Sequence, residues 1–204
     1  TVTSKQLTFT LPDGTRQTPA DVRMALASGA AAGGSFAFGE LELRPLVAIS
    51  AHLPIPESIR RDIARYDPRG TLRNGAAEWK GDIDAMSRYS VKTEFRGLAV
   101  AAHDGMPGAS NLAGTLDAND RDGRLHIETQ AATFTLPKLF ADPIAFDTLR
   151  GDVAWQRDGN ESQLQFKDVA FANGDAAGTT TGSWRPRAGG FGDVDIRAQL
   201  SRVN

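Results

Sequence analysis

The chain contains no cysteine, and several other features that define common protein classes are also missing. Without cysteine there are no disulfides, no thiolate metal ligands and no cysteine nucleophile. The longest apolar runs, residues 46–49 and 98–102, are far shorter than the roughly 18 residues of a membrane-spanning helix. A net charge of −2 argues against a general nucleic-acid binder, which would carry a concentrated basic face.

The sequence also offers little for catalysis. The three histidines, His52, His103 and His126, lie in different segments, and none is paired at metal-ligand spacing. There is no Gly-x-Ser-x-Gly motif and no phosphate-binding Gly-Lys-Ser/Thr motif. The acidic stretch 117–123 has part of the pattern of a calcium loop, but Arg121 occupies a ligand position, so a hairpin turn explains it better. We therefore expect no enzyme activity, no cofactor and no metal site.

What the chain does contain is a series of short segments in which apolar and polar residues alternate. This alternation indicates half-buried β-strands. The 21 glycines and 10 prolines suit the turns between them. Strands joined by short turns are mostly antiparallel neighbours. The pattern predicts a mainly β chain, a long, twisted, mostly antiparallel meander that forms a single β-rich unit over residues 1–204.

One short amphipathic helix is predicted near residues 56–66, within an insertion at about 54–67. Glu57 suits the first turn, where a negative charge complements the helix dipole. Ile59, Ile63 and Tyr66 share one face, and Pro68 disfavours helix at Asp67. We expect this helix to pack on its own sheet, although it could also close the sheet's end or meet a membrane surface.

The run before the helix reads as extended. Leu41 and Leu43 continue the alternation of the preceding segment, and residues 46–53 resume it. Pro45 interrupts the run, which fits an edge strand or a bulge.

Each predicted strand has one apolar face, and such a face must be buried against something. The choices are a second sheet, closure into a barrel, or a ligand as apolar as a protein core. Trp79, Trp155 and Trp184 could form a platform for sugars, but buried aromatics at strand ends explain them better. A carbohydrate- or protein-binding β-sandwich therefore stays open as an alternative, and a hydrolase is the least favoured.

The chain contains a series of short motifs: Leu53-Pro-Ile-Pro56, Ile63-Ala-Arg-Tyr66, Pro68-Arg-Gly-Thr-Leu72, Trp79 with Gly81, Pro107-Gly108, Asn111-Leu-Ala-Gly114, Gly123-Arg-Leu125, Leu136-Pro137, Leu139-Phe140, Leu149-Arg-Gly151 with Trp155, Phe171-Ala-Asn173 with Asp175, and Gly182-Ser-Trp184. No single motif is specific, and the specificity lies in their order and spacing from about residue 34 onward. In this order and spacing the series resembles the large AsmA-like proteins of the YhdP type in Gram-negative bacteria.

The resemblance implies a sheet curled into an open groove, a half-barrel that shelters phospholipid acyl chains between the inner and outer membranes. It implies a periplasmic location, an inner-membrane anchor elsewhere in a longer protein, and no catalytic residues. The isolated segment is expected to be monomeric and to bind no nucleic acid. The expected groove-lining residues are the alternating apolar ones: Leu41, Leu43, Val91, Phe95, Leu125, Ile127, Leu164, Phe166, Val194 and Ile196.

Overall fold

The computed structural model describes residues 1–29, 32–52, 55–83, 85–104, 106–137, 140–159, 161–185, 187 and 192–204. Eleven strands form one open antiparallel sheet, and each strand pairs with its neighbours in sequence. The two edges are therefore the first and last strands, and the sheet is not closed into a barrel. The strands are β1 (Val2–Leu7), β2 (Ala20–Ala27), β3 (Gly33–Glu42), β4 (Arg69–Lys80), β5 (Arg88–Val100), β6 (Gly108–Asn119), β7 (Asp122–Thr135), β8 (Ile144–Asp158), β9 (Glu161–Ala172), β10 (Ala176–Arg185) and β11 (Asp193–Val203).

Asparagine side chains organise two of the tight turns. Between β6 and β7, Oδ1 of Asn119 accepts the backbone N–H groups of Arg121 at 2.8 Å and Asp122 at 3.0 Å. Between β9 and β10, Oδ1 of Asn173 accepts the N–H of Ala176 at 2.8 Å. Such side-chain turns return the chain at once, so consecutive strands become antiparallel neighbours. The acidic stretch 117–123 contains the first of these turns, as expected from the sequence.

The helical insertion lies between β3 and β4 and contains two short helices. α1 spans Leu43–Ile49, a 3-10 turn follows at Ser50–His52, and α2 spans Glu57–Tyr66. The predicted amphipathic helix is thus confirmed as α2, which ends at Asp67 in the left-handed conformation. The N–H of Ala101, just after β5, donates to the carbonyl of Tyr66 at 2.7 Å and ties the end of α2 to the sheet.

α1 replaces the later part of the predicted extended run, and that part of the prediction was wrong, whereas the part up to Glu42 is confirmed as β3. Leu43, Leu46 and Val47 follow helical spacing as well as any strand pattern, because a short apolar run does not distinguish the two. Pro45 occupies the first turn of α1, where its missing N–H needs no partner, rather than a bulge. Residues 53 and 54, where the predicted run ended and the insertion began, lie outside the described residues.

The sheet is a single layer. All eleven strands belong to one sheet, so the alternative of a β-sandwich is wrong. Its small core lies on one face near the middle of the sheet, where Phe95, Leu112 and Ala132 are buried. Leu72, Leu116 and Leu125 are among the partly buried residues that pack against this cluster.

Candidate functional site on the apolar face

Nine of the ten expected groove-lining residues lie on one face of the sheet. Directly opposed residues on antiparallel strands point to the same side, and successive residues along a strand point to opposite sides. The registers connect the nine residues through three rows of opposed residues, which we call the apolar face. The tenth residue, Leu43, is the first residue of α1, so its expected place in a strand is corrected.

One row of opposed residues crosses all eleven strands without a polar member. Ten intervals between strands, at about 4.8 Å each, make this row about 48 Å long. It gives the apolar face a continuous hydrocarbon band from one sheet edge to the other. Its members, from β1 to β11, are Val2, Met24, Phe36, Ala77, Val91, Ala118, Gly123, Trp155, Leu164, Trp184 and Val194.

Two shorter rows widen the band. The hydroxyl of Thr93, the polar member of these rows, donates to the carbonyl of Arg73 at 3.1 Å and so is satisfied within the sheet. One row consists of Thr93, Leu116, Leu125, Val153, Phe166, Gly182 and Ile196. The other consists of Leu41, Leu72, Phe95, Gly114, Ile127 and Gly151.

Aromatic rings on this face lie across glycines of the neighbouring strand. A Cβ built on any of these glycines would fall under 3.0 Å from ring atoms, a separation that real Cβ atoms essentially never show. The rings therefore cover bare backbone and extend the apolar surface between strands. The opposed pairs are Trp79 with Gly34, Phe38 with Gly75, Phe95 with Gly114, Trp155 with Gly123, and Phe166 with Gly182.

Burial on the apolar face changes from the centre to the edges. Phe95 on β5 is only 2% exposed, although no second sheet covers it in the described part of the chain. On the edge strands Val2 is 70% exposed and Ile196 is 56% exposed. The side chains of neighbouring strands close over the centre, whereas the face opens to solvent at β1 and β11.

The opposite face, which we call the polar face, carries cross-strand charge pairs. Nε of Arg73 lies 2.7 Å from Oε2 of Glu40, and Nζ of Lys92 lies 2.8 Å from Oδ2 of Asp117. A cross-strand hydrogen bond also lies on this face, where Nδ1 of His126 is 3.0 Å from Oδ1 of Asp152. Pairs exposed to this degree contribute at most about 1 kcal/mol each. The polar face is therefore a solvated exterior, and it leaves the apolar face as the candidate site.

A carboxyl in a turn near the N-terminus has a shifted pKa. The pKa of the Asp13 carboxyl, in the turn after β1, is lowered by hydrogen bonds from the backbone N–H and hydroxyl of Thr15, at 2.9 and 3.0 Å. Within the described residues, no group of three or more His, Cys, Asp or Glu side chains is arranged to hold a metal.

Comparison with known protein families shows to which family the chain belongs. The family model described as YhdP protein matches residues 1–204. The chain belongs to the YhdP family. No curated protein and no solved structure matches it. Membership of the YhdP family indicates lipid transport in the cell envelope. Neither α1 nor α2, nor any other helix in the described ranges, has the length and apolar content to span a membrane.

Sequence reasoning missed part of the apolar face of this YhdP-family chain. Leu72, Val153 and Trp155 belong to its rows. The alternation in β8 already pointed to Val153 and Trp155, whereas Leu72 shares the face with Ala77 only because the register shifts between Arg73 and Ala76 in β4. The opposed glycines, such as Gly75 and Gly123, had no comparable signal. These two glycines contribute to the apolar surface through the aromatic ring that lies across each of them, and the ring is contributed by another strand.

Proposed function

We propose that this chain shelters phospholipid acyl chains on its apolar face, as a periplasmic segment of a transporter that connects the inner and outer membranes. The lining consists of the nine expected residues that share the face: Leu41, Val91, Phe95, Leu125, Ile127, Leu164, Phe166, Val194 and Ile196. The segment acts by binding and carries out no chemistry on the lipid. The inner-membrane anchor is contributed by another part of the longer protein.

The observation that carries the proposal is the unbroken apolar row across all eleven strands of a single-layer sheet. In an ordinary two-layer core, a second layer covers the apolar side chains of the sheet. In the described part of this chain no second sheet covers the row, and the row continues to both sheet edges. Exposing an acyl chain of about fifteen carbons to water costs on the order of 12 kcal/mol, at roughly 0.8 kcal/mol per methylene. A continuous apolar band offsets that cost along its whole length.

Curvature of the sheet gives the acyl chains a sheltered position. The burial of Phe95 within one layer is explained if the sheet bends toward its apolar face and brings neighbouring strands over the ring. Positive backbone φ angles at Asn74, Asn111 and Ala131 accompany register shifts in β4, β6 and β7. Such bulges increase local bending and twist, and they support a groove rather than a flat surface.

Photocrosslinking at adjacent residues of one strand tests the proposal. Ile196 and Arg197 are both exposed neighbours on β11, but they point to opposite faces. A photoreactive amino acid at residue 196 of the full-length protein should capture phospholipid in cells, and the same group at residue 197 should capture far less. Residues 91 and 92 on β5 give a second matched pair in the middle of the sheet.

Equal capture from the two faces would overturn the proposal, since it would mean that lipid contacts the sheet without preference. Capture only from residues 92 and 197 would also overturn it and would assign lipid contact to the polar face.

A further inference from the structure

The amphipathic aromatic residues of the apolar face are concentrated at one end of the strands. Trp79 and Tyr89 oppose each other near the β4–β5 turn, while Trp155 and Trp184 both oppose Leu164 near the corresponding ends of β8 and β10. These are all three tryptophans of the chain. We call this the tryptophan end of the sheet. Trp79, Trp155 and Trp184 are half-buried, and Tyr89 is 43% exposed.

One cationic side chain follows these aromatic residues toward the turns on the same face. Arg157 lies two residues after Trp155 on β8, so the two side chains point to the same side of the sheet. Lys80, Arg88 and Arg185 are adjacent to Trp79, Tyr89 and Trp184 along their strands and therefore point to the polar face at the same end. Among the described residues, Arg157 has no carboxylate oxygen within 4.0 Å, so its charge is available to an anion.

The other end of the same face has a different character. Phe146 makes edge-to-face contacts with Phe134 and Phe171, with ring centroids 5.9 and 6.0 Å apart. Ala109 and Ile144 oppose Phe134 from the neighbouring strands. Because α1 and α2 are inserted at this end, between β3 and β4, we call it the helix end. Its rings carry no polar atom, in contrast to those of the tryptophan end.

We propose that a phospholipid on the apolar face is oriented, with its phosphate at the tryptophan end and its acyl chains directed toward the helix end. The inference rests on the function proposed above. It adds which end of the sheet the phosphate occupies and which end the acyl chains occupy. Trp and Tyr favour the level at which hydrocarbon meets polar groups, because one side of the ring system is apolar and the other carries a hydrogen-bond donor. Arg157, just beyond that level on the same face, attracts a lipid phosphate, and the phenylalanine rings of the helix end suit hydrocarbon.

Quenching of the native tryptophans tests the orientation, because all of them lie at the tryptophan end. The chain is mixed with phosphatidylcholine that carries a nitroxide either on its headgroup or near the methyl end of one acyl chain. The headgroup label should cause the larger loss of tryptophan fluorescence. The matched control carries Trp79→Phe, Trp155→Phe and Trp184→Phe with Phe146→Trp, which moves the fluorophore to the helix end. In that variant the label near the methyl end should cause the larger loss.

Three outcomes are distinguishable. Opposite quenching orders in the two proteins support the orientation. Equal quenching by both labels in both proteins overturns the orientation and leaves lipid binding on this face intact. No quenching by either label in either protein contradicts both the orientation and the proposed function. A near-native circular dichroism spectrum of the Phe146→Trp variant, which retains an aromatic ring at residue 146, verifies that the variant is folded.

Discussion

The ring of Phe38 on β3 lies across Gly75 on β4, so that a Cβ at residue 75 would fall under 3.0 Å from three carbons of the ring. Gly75 is buried and directly opposes Phe38 in the register. This pair is one of the five directly opposed pairs, within the described strands, in which an aromatic residue of the apolar face covers a glycine. The pair restricts the register of β3 and β4, because Asn74 and Ala76, on either side of Gly75, both carry side chains.

Gly75→Ala should therefore destabilise the fold by about 1–3 kcal/mol, the usual cost of overpacking a filled site. The midpoint of urea unfolding measures the change. Gly39→Ala is the matched control, because Gly39 follows Phe38 on the same strand and a Cβ there meets nothing within 4 Å. In a Phe38→Ala background the Gly75→Ala change should cost less. An equal cost in both backgrounds would mean that the ring is not the cause.

Phe95→Ala should be among the most destabilising truncations in the chain. Phe95 is 2% exposed and packs in the central cluster with Leu112 and Ala132, so its removal leaves a cavity and costs about 3–5 kcal/mol. Val194→Ala on the edge strand, where the side chain is 46% exposed, should cost under about 1 kcal/mol. Comparable losses in urea unfolding would contradict the gradient of burial from the centre of the sheet to its edge.

Gln17→Ala tests a buried hydrogen bond that joins the N-terminal part of the chain to the start of α1. Gln17 is fully buried, its Oε1 accepts the N–H of Glu42 at 3.1 Å, and its Nε2 donates to the carbonyl of Thr18 at 2.8 Å. Leaving buried polar groups without a partner should cost about 1–3 kcal/mol in unfolding free energy. Gln130→Ala, at an exposed position on β7, should change it by less than about 0.5 kcal/mol.

Leu164→Asp tests whether continuity of the apolar row matters for lipid binding. Leu164 lies between Trp155 and Trp184 in the row that crosses the sheet, and a carboxylate there would interrupt the hydrocarbon band. The amount of phospholipid that co-purifies with the protein should fall. Gln165→Asp places the same group on the polar face of the same strand and should leave the amount unchanged. The proposal fails if both variants lose lipid equally while remaining folded by circular dichroism.

Local patterns correctly predicted several elements. The alternation around Val91 and Phe95 predicted β5, and the alternation from Val194 to Leu200 predicted β11. α2 was predicted because Glu57 and Pro68 bound a segment with helical apolar spacing. These signals are reliable because a strand's two faces and a helix's capping residues are properties of consecutive residues.

Local patterns failed at α1, where several apolar residues follow one another. A short apolar run satisfies a strand and a helix equally, and Pro45 is compatible with both a bulge and a first helical turn. The contacts that α1 makes with β3 and β4 select the helix in this chain.

The periodicity of the residues alone determined that this chain forms many one-sided strands and that its apolar residues would share a face. Only the tertiary structure decided that those strands form one uncovered layer and that an apolar row continues from Val2 to Val194. It also decided that glycines lie under the rings and that the tryptophans gather at one end. The physical reason is that register and layering depend on contacts between residues far apart in the chain, whereas alternation depends on residues next to one another.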